Sequence, residues 1–175
     1  MSYILETERL RLREYTQTDT DFVLRLLNSP GFLEFIGDRN VRTEAQAKDY
    51  LLDGPMKSYA DYGYGLSLVE RKDDRQAIGT CGLLQRPNLD FPDIGFAFLP
   101  EFVGCGYAYE IAKGVLDYGF EKFQLPKIYA MCKPDNARSV RLLEKLGLKF
   151  VDLYFLPGKE EKSLLYSLQT IHQLK

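Results

Sequence analysis

Apolar residues recur along this chain with two different periods, and each period predicts a different kind of element. Between Leu5 and Tyr15 apolar and polar residues alternate, with Leu10 and Leu12 set between arginines, which predicts a half-buried strand. Between residues 108 and 123 the apolar side chains recur instead at helical spacing and form one stripe. That stripe consists of Ala108, Ile111, Ala112, Val115, Leu116, Gly119, Phe120 and Phe123.

Six further strands follow from the same criteria. They cover residues 66–70, 77–84, 93–99, 127–132, 148–156 and 163–168. The last two are predicted to form a hairpin. A late amphipathic helix opens at Asn136 and ends at Gly147, so the second half of the chain reads strand, helix, strand, helix and strand. That order is typical of an α/β domain.

The first half carries shorter helical patterns. A short helix capped by Asp19 or Thr20 and ended by Ser29-Pro30-Gly31 is followed by a loop or short turn of helix over residues 32–40. Thr43 and Gln46 have the spacing of a capping box, which predicts that the next helix begins there. The Gly54-Pro55 pair is expected to interrupt that helix, because proline lacks an N–H donor and clashes with the preceding turn.

The centre of the chain joins a strand to a helix through a turn that contains Gly104 and Gly106. The first turn of a helix has N–H groups without helical partners, and glycines let an anion approach the backbone. A dinucleotide fingerprint is excluded because Tyr109 stands where Gly or Ala is required, and a P-loop is excluded because Gly-Tyr-Ala replaces Gly-Lys-Ser/Thr. A pyrophosphate cradle of another kind remains, with a tight turn before a core helix as the alternative.

Composition narrows the class of protein. The 175 residues predict a single domain over 1–175, and 45% hydrophobic with 27% charged residues is ordinary for a soluble protein. A net charge of −2 gives no basic field for nucleic acid or an anionic membrane. An odd set of cysteines (Cys81, Cys105, Cys132) without metal-ligand spacing predicts free thiols in a reducing cytoplasm and no metal site. The N-terminal residues do not form a signal-peptide pattern, and no apolar run has the length of a membrane span.

Two stretches resemble the GNAT N-acetyltransferase superfamily. Residues 94–101 and 104–110 are similar to its acetyl-CoA segment, whose signature Gln/Arg-x-x-Gly-x-Gly/Ala falls on residues 103–108. Val103 departs from the usual Gln or Arg, and Cys105 stands where Lys is common. Both changes remove polar side chains but keep the backbone donors, so the resemblance implies weaker coenzyme binding. Residues 136–148 resemble the second signature, with Leu148 in place of Phe.

The resemblance implies a fold and a subgroup. The expected fold is α/β (α+β), with a mixed, mostly antiparallel central sheet of about seven strands flanked by helices. The opening residues 5–13 resemble the first strand of enzymes that acetylate the N-termini of ribosomal proteins. Residues 32–40 are expected to help form the acceptor pocket, with core packing as the alternative.

The same resemblance implies a set of site residues. Acetyl-CoA would be the co-substrate, Asp93 would accept the proton of the amine, and Ser139 would donate a proton to the leaving thiolate. Ordinary helix capping is the alternative for Asn136 and Ser139, and a solvated strand end is the alternative for Asp93. Glu101, Glu160 and Glu161 are weaker candidates for a base, and His172 is assigned no role. The implied cofactor-binding residues are Phe98, Leu99, Val103, Gly104, Cys105, Gly106, Tyr107, Ala108 and Asn136.

The sequence is compatible with three functions. The first is transfer of an acetyl group from acetyl-CoA to an amine, with a peptide N-terminus, a polyamine or an amino sugar as acceptor. The second is a non-catalytic module that binds acyl-CoA, and the third is a Rossmann-type redox domain. The sequence does not fix the oligomeric state, and a homodimer is compatible with it.

Overall fold

A computed structural model describes residues 2–170. The strands are β1 (Leu5–Glu6), β2 (Leu10–Arg13), β3 (Leu66–Arg71), β4 (Ala77–Leu84), β5 (Asp93–Phe98), β6 (Lys127–Cys132), β7 (Lys149–Phe155) and β8 (Lys162–Gln169). The helices are α1 (Thr20–Leu27), α2 (Pro30–Phe35), α3 (Glu44–Leu51), α4 (Lys57–Tyr62), α5 (Tyr107–Lys122) and α6 (Ala137–Lys145). A π turn over Leu52–Met56 joins α3 to α4, and a 3₁₀ turn over Pro100–Phe102 precedes the glycine turn.

The strands form one 8-stranded sheet in the order β1-β2-β3-β4-β5-β6-β8-β7. Every neighbouring pair is antiparallel except β5 and β6, which are parallel. The predicted mixed, mostly antiparallel sheet is confirmed. A single parallel pair cannot form the doubly wound parallel sheet of a Rossmann domain, so that alternative is wrong.

The sheet has one strand more than expected because the first predicted strand is a hairpin. Leu5 pairs with Leu12, and the chain reverses between them at Thr7–Arg9. The Thr7 N–H donates to the Leu10 carbonyl at 2.9 Å, and the Thr7 hydroxyl accepts the Leu10 N–H at 3.2 Å. The alternation of apolar and polar residues runs straight through this turn, so the periodicity conceals it.

The helical first half follows the predicted pattern. Thr43 and Gln46 form the capping box, and the α-helix is interrupted at Gly54-Pro55 by a π turn before α4 begins. The wider π turn accommodates Pro55, which has no N–H to place in a helical ladder. Pro30 occupies the first position of α2, where a missing N–H is not needed, and this short helix extends into the segment predicted as a loop or short turn of helix.

Two hydrophobic clusters lie on opposite faces of the sheet. Leu68 and Val69 are neighbours on β3, so their side chains point to opposite faces, and each belongs to a different cluster. On one face α5 packs Ile111 and Val115 against the central strands. On the other face α1 and α3 pack over Leu68 and Leu99. The layers hold the strand–turn–helix segment between two cores. Within residues 2–170 no helix combines the length and the apolar composition that crossing a membrane requires.

Candidate active site

The parallel strands β5 and β6 separate soon after they pair. Their ladder joins Asp93 to Tyr129 and Ile94 to Ala130, and it goes no further. On their outer edges both strands stay fully paired, β5 with β4 and β6 with β8. A wedge-shaped gap therefore opens along Gly95–Phe98, with backbone donors and acceptors of β5 facing into it.

The direction of these donors follows from the strand. The Leu99 N–H donates to the Ile78 carbonyl of β4 at 3.0 Å, and the Leu99 carbonyl accepts from the Phe102 N–H at 3.0 Å. Backbone N–H groups alternate between the two edges of a strand, so those of Phe96 and Phe98 point toward the gap. Both polar groups of the Leu99 backbone make hydrogen bonds within the protein, whereas those of Phe98 face the gap. Of these two predicted coenzyme-binding residues, Phe98 is the one whose backbone is free to meet a ligand there.

Two helix N-termini stand at the open end of the gap. Because β5 and β6 run parallel, their carboxyl ends meet at one edge of the sheet, and each strand leads into a helix there. In α/β sheets, ligands bind at such an edge where the chain connections diverge. The N-termini of α5 and α6 direct the positive ends of their dipoles to this edge, which favours an anionic ligand.

The glycine turn leads directly into α5, as predicted. Gly104 and Gly106 have φ values of +84° and +80°, which favour glycine because a Cβ would be strained there. The first hydrogen bond of the helix runs from the Glu110 N–H to the Gly106 carbonyl at 3.1 Å. The N–H groups of Tyr107–Tyr109 precede this bond and are free of the helical ladder. Gly104, Cys105 and Gly106 are exposed, so an anion can reach the turn.

The side chains of the glycine turn carry no charged group. Val103, Tyr107 and Ala108 are half-buried, and the thiol of Cys105 is exposed. The cation that hydrogen-bonds the turn comes from the β1–β2 hairpin, where Arg9 Nη1 donates to the Cys105 carbonyl at 3.1 Å. Sequence reasoning missed Arg9 because it was assigned to the polar face of a continuous strand. A predicted turn between Leu5 and Leu12 would have been the signal, because the hairpin places Arg9 at its tip rather than within a strand.

At the second helix N-terminus, Asn136 caps α6. Its Oδ1 accepts the backbone N–H of Ser139 at 3.2 Å, so the capping alternative for Asn136 is present in the structure. The capping hydrogen bond is made by the backbone N–H of Ser139, so the Ser139 hydroxyl takes no part in it. Both residues are half-buried. The geometry is compatible with capping and with a role in the site, since the Asn136 side chain has a second polar atom.

Asp93 is not a solvated strand end. Its side chain is 2% exposed and accepts hydrogen bonds from Arg86 Nε at 2.7 Å and Arg86 Nη2 at 3.3 Å. Burial raises the pKa of Asp93 above its ordinary value, against the opposing charge and hydrogen bond of Arg86. Arg86 lies between the predicted strands 77–84 and 93–99, and the sequence gave no signal that it would reach this carboxylate.

Beyond the end of β6, Lys133 connects two segments. Its ammonium group donates to the Glu34 carbonyl of α2 at 3.0 Å and pairs with Glu161 of the β7–β8 turn at 3.0 Å. Lys133 therefore joins the segment predicted to contribute to the acceptor pocket to the last hairpin. Of the weaker base candidates, Glu161 is held by this pair, and Glu101 pairs with Arg25.

The remaining chemistry-bearing residues form no second centre in the part of the chain that the structure describes. Residues 2–170 contain no group of three or more His, Cys, Asp and Glu side chains that could hold a metal ion. The three cysteines are free thiols. His172 lies outside the described residues.

Comparison with known proteins places the chain in a family. A family model for the acetyltransferase (GNAT) domain matches residues 9–149. The uncharacterized protein YkkB of Bacillus subtilis (strain 168) is 31% identical over 149 residues, which cover 83% of this chain and 85% of that protein. The uncharacterized N-acetyltransferase YoaA of the same organism is 31% identical over 149 residues, covering 83% of this chain and 82% of the relative.

Solved structures share the fold. An acetyltransferase from Agrobacterium tumefaciens has a TM-score of 0.82 at 22% identity over 97% of this chain and 95% of its own. Several neighbours carry an acceptor in their names, and two of these name different acceptors. One is a ribosomal-protein-S5-alanine acetyltransferase from Vibrio fischeri (TM-score 0.77, 20% identity, 94% and 95% covered). The other is a spermidine N-acetyltransferase from Vibrio cholerae in complex with CoA and spermine (TM-score 0.74, 21% identity, 91% and 95% covered). This chain thus belongs to the GNAT acetyltransferase family and is an acetyl-CoA-dependent acyltransferase.

Proposed function

We propose that this enzyme transfers the acetyl group of acetyl-CoA directly to a primary amine while both substrates are bound. One observation carries the proposal: a gap between two parallel strands ends at two helix N-termini. The gap offers backbone donors to a thioester and its amide-containing arm, and the helix ends offer donors to phosphates. A ternary complex needs no covalent enzyme intermediate, and none of the site residues has the base and orienting partner of an activated nucleophile.

The coenzyme would lie along the carboxyl end of β5. The N–H groups of residues 104–108, at the start of the 16-residue helix α5, would bind its diphosphate. The backbone of Phe98 would pair with an amide of the pantetheine arm, and the Asn136 side chain would contact the same arm from α6. This arrangement uses backbone groups for most contacts, which agrees with the neutral side chains of Val103 and Cys105.

The chemical step can then be written with the residues in place. The amine nitrogen attacks the thioester carbonyl, and the N–H group of Phe96 stabilises the oxyanion that forms. The C–S bond breaks as the oxyanion collapses, the thiolate takes a proton from the Ser139 hydroxyl, and Ser139 regains a proton from solvent. Asp93 receives the proton that the amine loses, through a water molecule because its carboxylate is buried. The products are an N-acetylated amine and CoA.

The state of Asp93 favours an α-amino group as the acceptor. Burial raises the pKa of Asp93 but Arg86 opposes that rise, so the carboxylate assists most when the amine is easily deprotonated. An α-amino group has a pKa of about 7.7–8.0, whereas a lysine amine has a pKa of about 10.4 and is almost wholly protonated at neutral pH. We therefore infer that a peptide N-terminus is acetylated in preference to a side-chain amine or polyamine, as in the neighbour whose name specifies ribosomal protein S5 alanine.

The proposal is tested by binding and by turnover on a matched panel of acceptors. Calorimetry with CoA should give measurable heat, and initial rates should show intersecting lines typical of a ternary complex. The panel contains a peptide with a free N-terminus, the same peptide blocked at the N-terminus but carrying one lysine, spermidine and an amino sugar. We expect the free N-terminus to react fastest. Absence of CoA binding would overturn the coenzyme site, and binding without turnover on any amine would overturn the transfer reaction.

Ser139→Ala provides the matching variant. If Ser139 protonates the thiolate, its loss should lower kcat by about 100-fold or more, in the range of general acid catalysis, and leave the affinity for CoA unchanged. The N-cap bond uses the Ser139 backbone, so the variant should keep its thermal stability. An unchanged kcat would remove Ser139 from the mechanism.

A further inference from the structure

The β1–β2 hairpin is built against the glycine turn. Three of its donors converge on the carboxylate of Glu110, in the first turn of α5: the Thr7 hydroxyl at 2.6 Å, the Arg9 N–H at 2.8 Å and Arg9 Nε at 2.7 Å. Burial alone would raise the pKa of Glu110, but these hydrogen bonds hold it below its ordinary value. The carboxylate of Glu110, in the first turn of α5, is thereby paired with a cation and held against the hairpin.

The rest of the Arg9 side chain contacts the turn on both sides of Gly106. Arg9 Nη1 donates to the Cys105 carbonyl at 3.1 Å, and the guanidinium carbon lies 4.5 Å from the centre of the Tyr107 ring. Arg9 Nη2 lies 3.4 Å from the position that a Cβ on Gly106 would occupy. The Arg9 carbonyl accepts from the Lys72 N–H at 2.9 Å, which anchors the hairpin itself to the sheet.

These contacts determine which way one peptide group faces. In a trans peptide the carbonyl and the following N–H point in opposite directions. Because Arg9 holds the Cys105 carbonyl, the N–H of Gly106 is turned away from Arg9 and outward from the turn. Both glycines have positive φ values and so have wide backbone freedom, which means that the turn itself does not fix this orientation.

We propose that Arg9 is a positioning residue for the coenzyme: by holding the Cys105 carbonyl and Glu110 together, it presents the Gly106 N–H to a diphosphate. This inference rests on the proposed coenzyme site and adds to it a residue from a distant part of the chain. The guanidinium fork is essential, because one group must donate to a carboxylate and a carbonyl at the same time. A lysine would keep the charge but not both bonds.

The test compares acetyl-CoA with S-acetylpantetheine, which has the same thioester and lacks the diphosphate. For Arg9→Ala we expect kcat/KM with acetyl-CoA to fall about tenfold or more, in line with the loss of a hydrogen bond to a charged group. We expect kcat at saturating acetyl-CoA and the KM of the amine to change less than about twofold. With S-acetylpantetheine, wild type and variant should be equal. Arg9→Lys should resemble Arg9→Ala.

Arg11→Ala is the matched control, since Arg11 lies on the same hairpin but pairs with Glu6 at 3.3 Å and stacks on Tyr3. It should behave as wild type with both donors. Equal losses with acetyl-CoA and S-acetylpantetheine would show a general structural role for Arg9 and overturn the inference. So would full rescue by Arg9→Lys. Failure of the wild-type protein to bind CoA would refute the proposed function instead, so the two failures are distinguishable.

Discussion

At the scale of single residues, the environment of Asp93 illustrates how a buried partner changes the chemistry of a carboxyl group. The family resemblance implied a role for Asp93 at the start of a strand, and the structure surrounds it with protein and with Arg86. Burial and the guanidinium have opposite effects on its pKa, and the effect of burial is the larger. The carboxylate is therefore closer to the basicity that proton transfer at neutral pH requires than an exposed aspartate would be.

Replacing Arg86 with Gln tests whether Asp93 is the base. Removal of the guanidinium should raise the pKa of Asp93 further, because the charge that favours its ionised form is lost. If Asp93 must be ionised for turnover, the acidic limb of the kcat/KM profile should move to higher pH in Arg86→Gln. Asp93→Asn should lower kcat by about 100-fold, a typical contribution of a general base, with CoA affinity retained.

The measurement is a pH–rate profile at fixed saturating acetyl-CoA. The acceptor amine has its own pKa, which produces a limb in the same range, so the profile is recorded with two acceptors of different pKa. If the acidic limb shifts with the pKa of the acceptor but not on the change Arg86→Gln, Asp93 is only the structural partner of Arg86.

At the scale of elements, the glycine turn and α5 act as one unit. The turn needs two residues with positive φ to lead the chain from Pro100–Phe102 into the helix with its first N–H groups exposed. Nothing lies within 4 Å of the position of a Cβ on Gly104, so the space there is open toward solvent. A methyl group on Gly104 would occupy the approach to the turn without meeting other protein atoms.

Gly104→Ala should therefore weaken CoA binding beyond its effect on stability. The strain of a left-handed non-glycine residue should lower the free energy of unfolding by about 1–2 kcal/mol. Gly147→Ala is the control, because Gly147 has a φ of +89°, only an ordinary contact at 3.8 Å to its Cβ position, and lies at the C-terminus of α6. Both variants should lose similar stability by urea titration, and only Gly104→Ala should lose CoA affinity by calorimetry. Equal affinities in the two variants would contradict a diphosphate site at the turn.

At the scale of the whole molecule, local pattern predicted most elements and failed where distant residues meet. Strands β4 and β6 were predicted with their observed bounds, since alternation and flanking turn residues are local signals. The β1–β2 hairpin was missed because alternation survives a tight turn. Arg9 and Arg86 were missed for a related reason: their partners Glu110 and Asp93 are chosen by the sheet order, which no local period contains. The separation of β5 from β6 is likewise a property of the assembled sheet, which no local period contains.

A second long-range network joins β2 and β3 to the start of α1, on the face of the sheet that α1 and α3 cover. Arg13 of β2 donates to both oxygens of Asp19 at 2.9 Å and, through Nε, to Glu70 of β3 at 2.6 Å. Asp19 also accepts the Thr16 N–H at 2.7 Å. These groups are nearly buried, so each depends on the others for its hydrogen bonds. The network fixes the start of α1 to the strands and holds the helical layer in place.

Asp19 should make the stability of the protein depend on pH. Burial would raise its pKa, but hydrogen bonds from Arg13 and Thr16 lower it below its ordinary value of 3.8. A carboxyl group whose pKa is lower in the folded state stabilises the fold above the pKa of the unfolded chain. That contribution is lost as the pH falls through the folded pKa, because the group must then be protonated.

Asp19→Asn should consequently lower the free energy of unfolding by about 1–3 kcal/mol at pH 7, the range for hydrogen bonds to charged groups. The difference from wild type should shrink as the pH falls below about 4, the ordinary value for an aspartate. Urea titrations at both pH values measure it. Asp117→Asn is the control, because Asp117 pairs with Lys113 on the exposed surface of α5 at 2.7 Å and should change stability by less than about 1 kcal/mol. A difference for Asp19→Asn that is the same at both pH values would show that its carboxylate charge contributes nothing, and that shape and neutral hydrogen bonding alone hold α1 to the sheet.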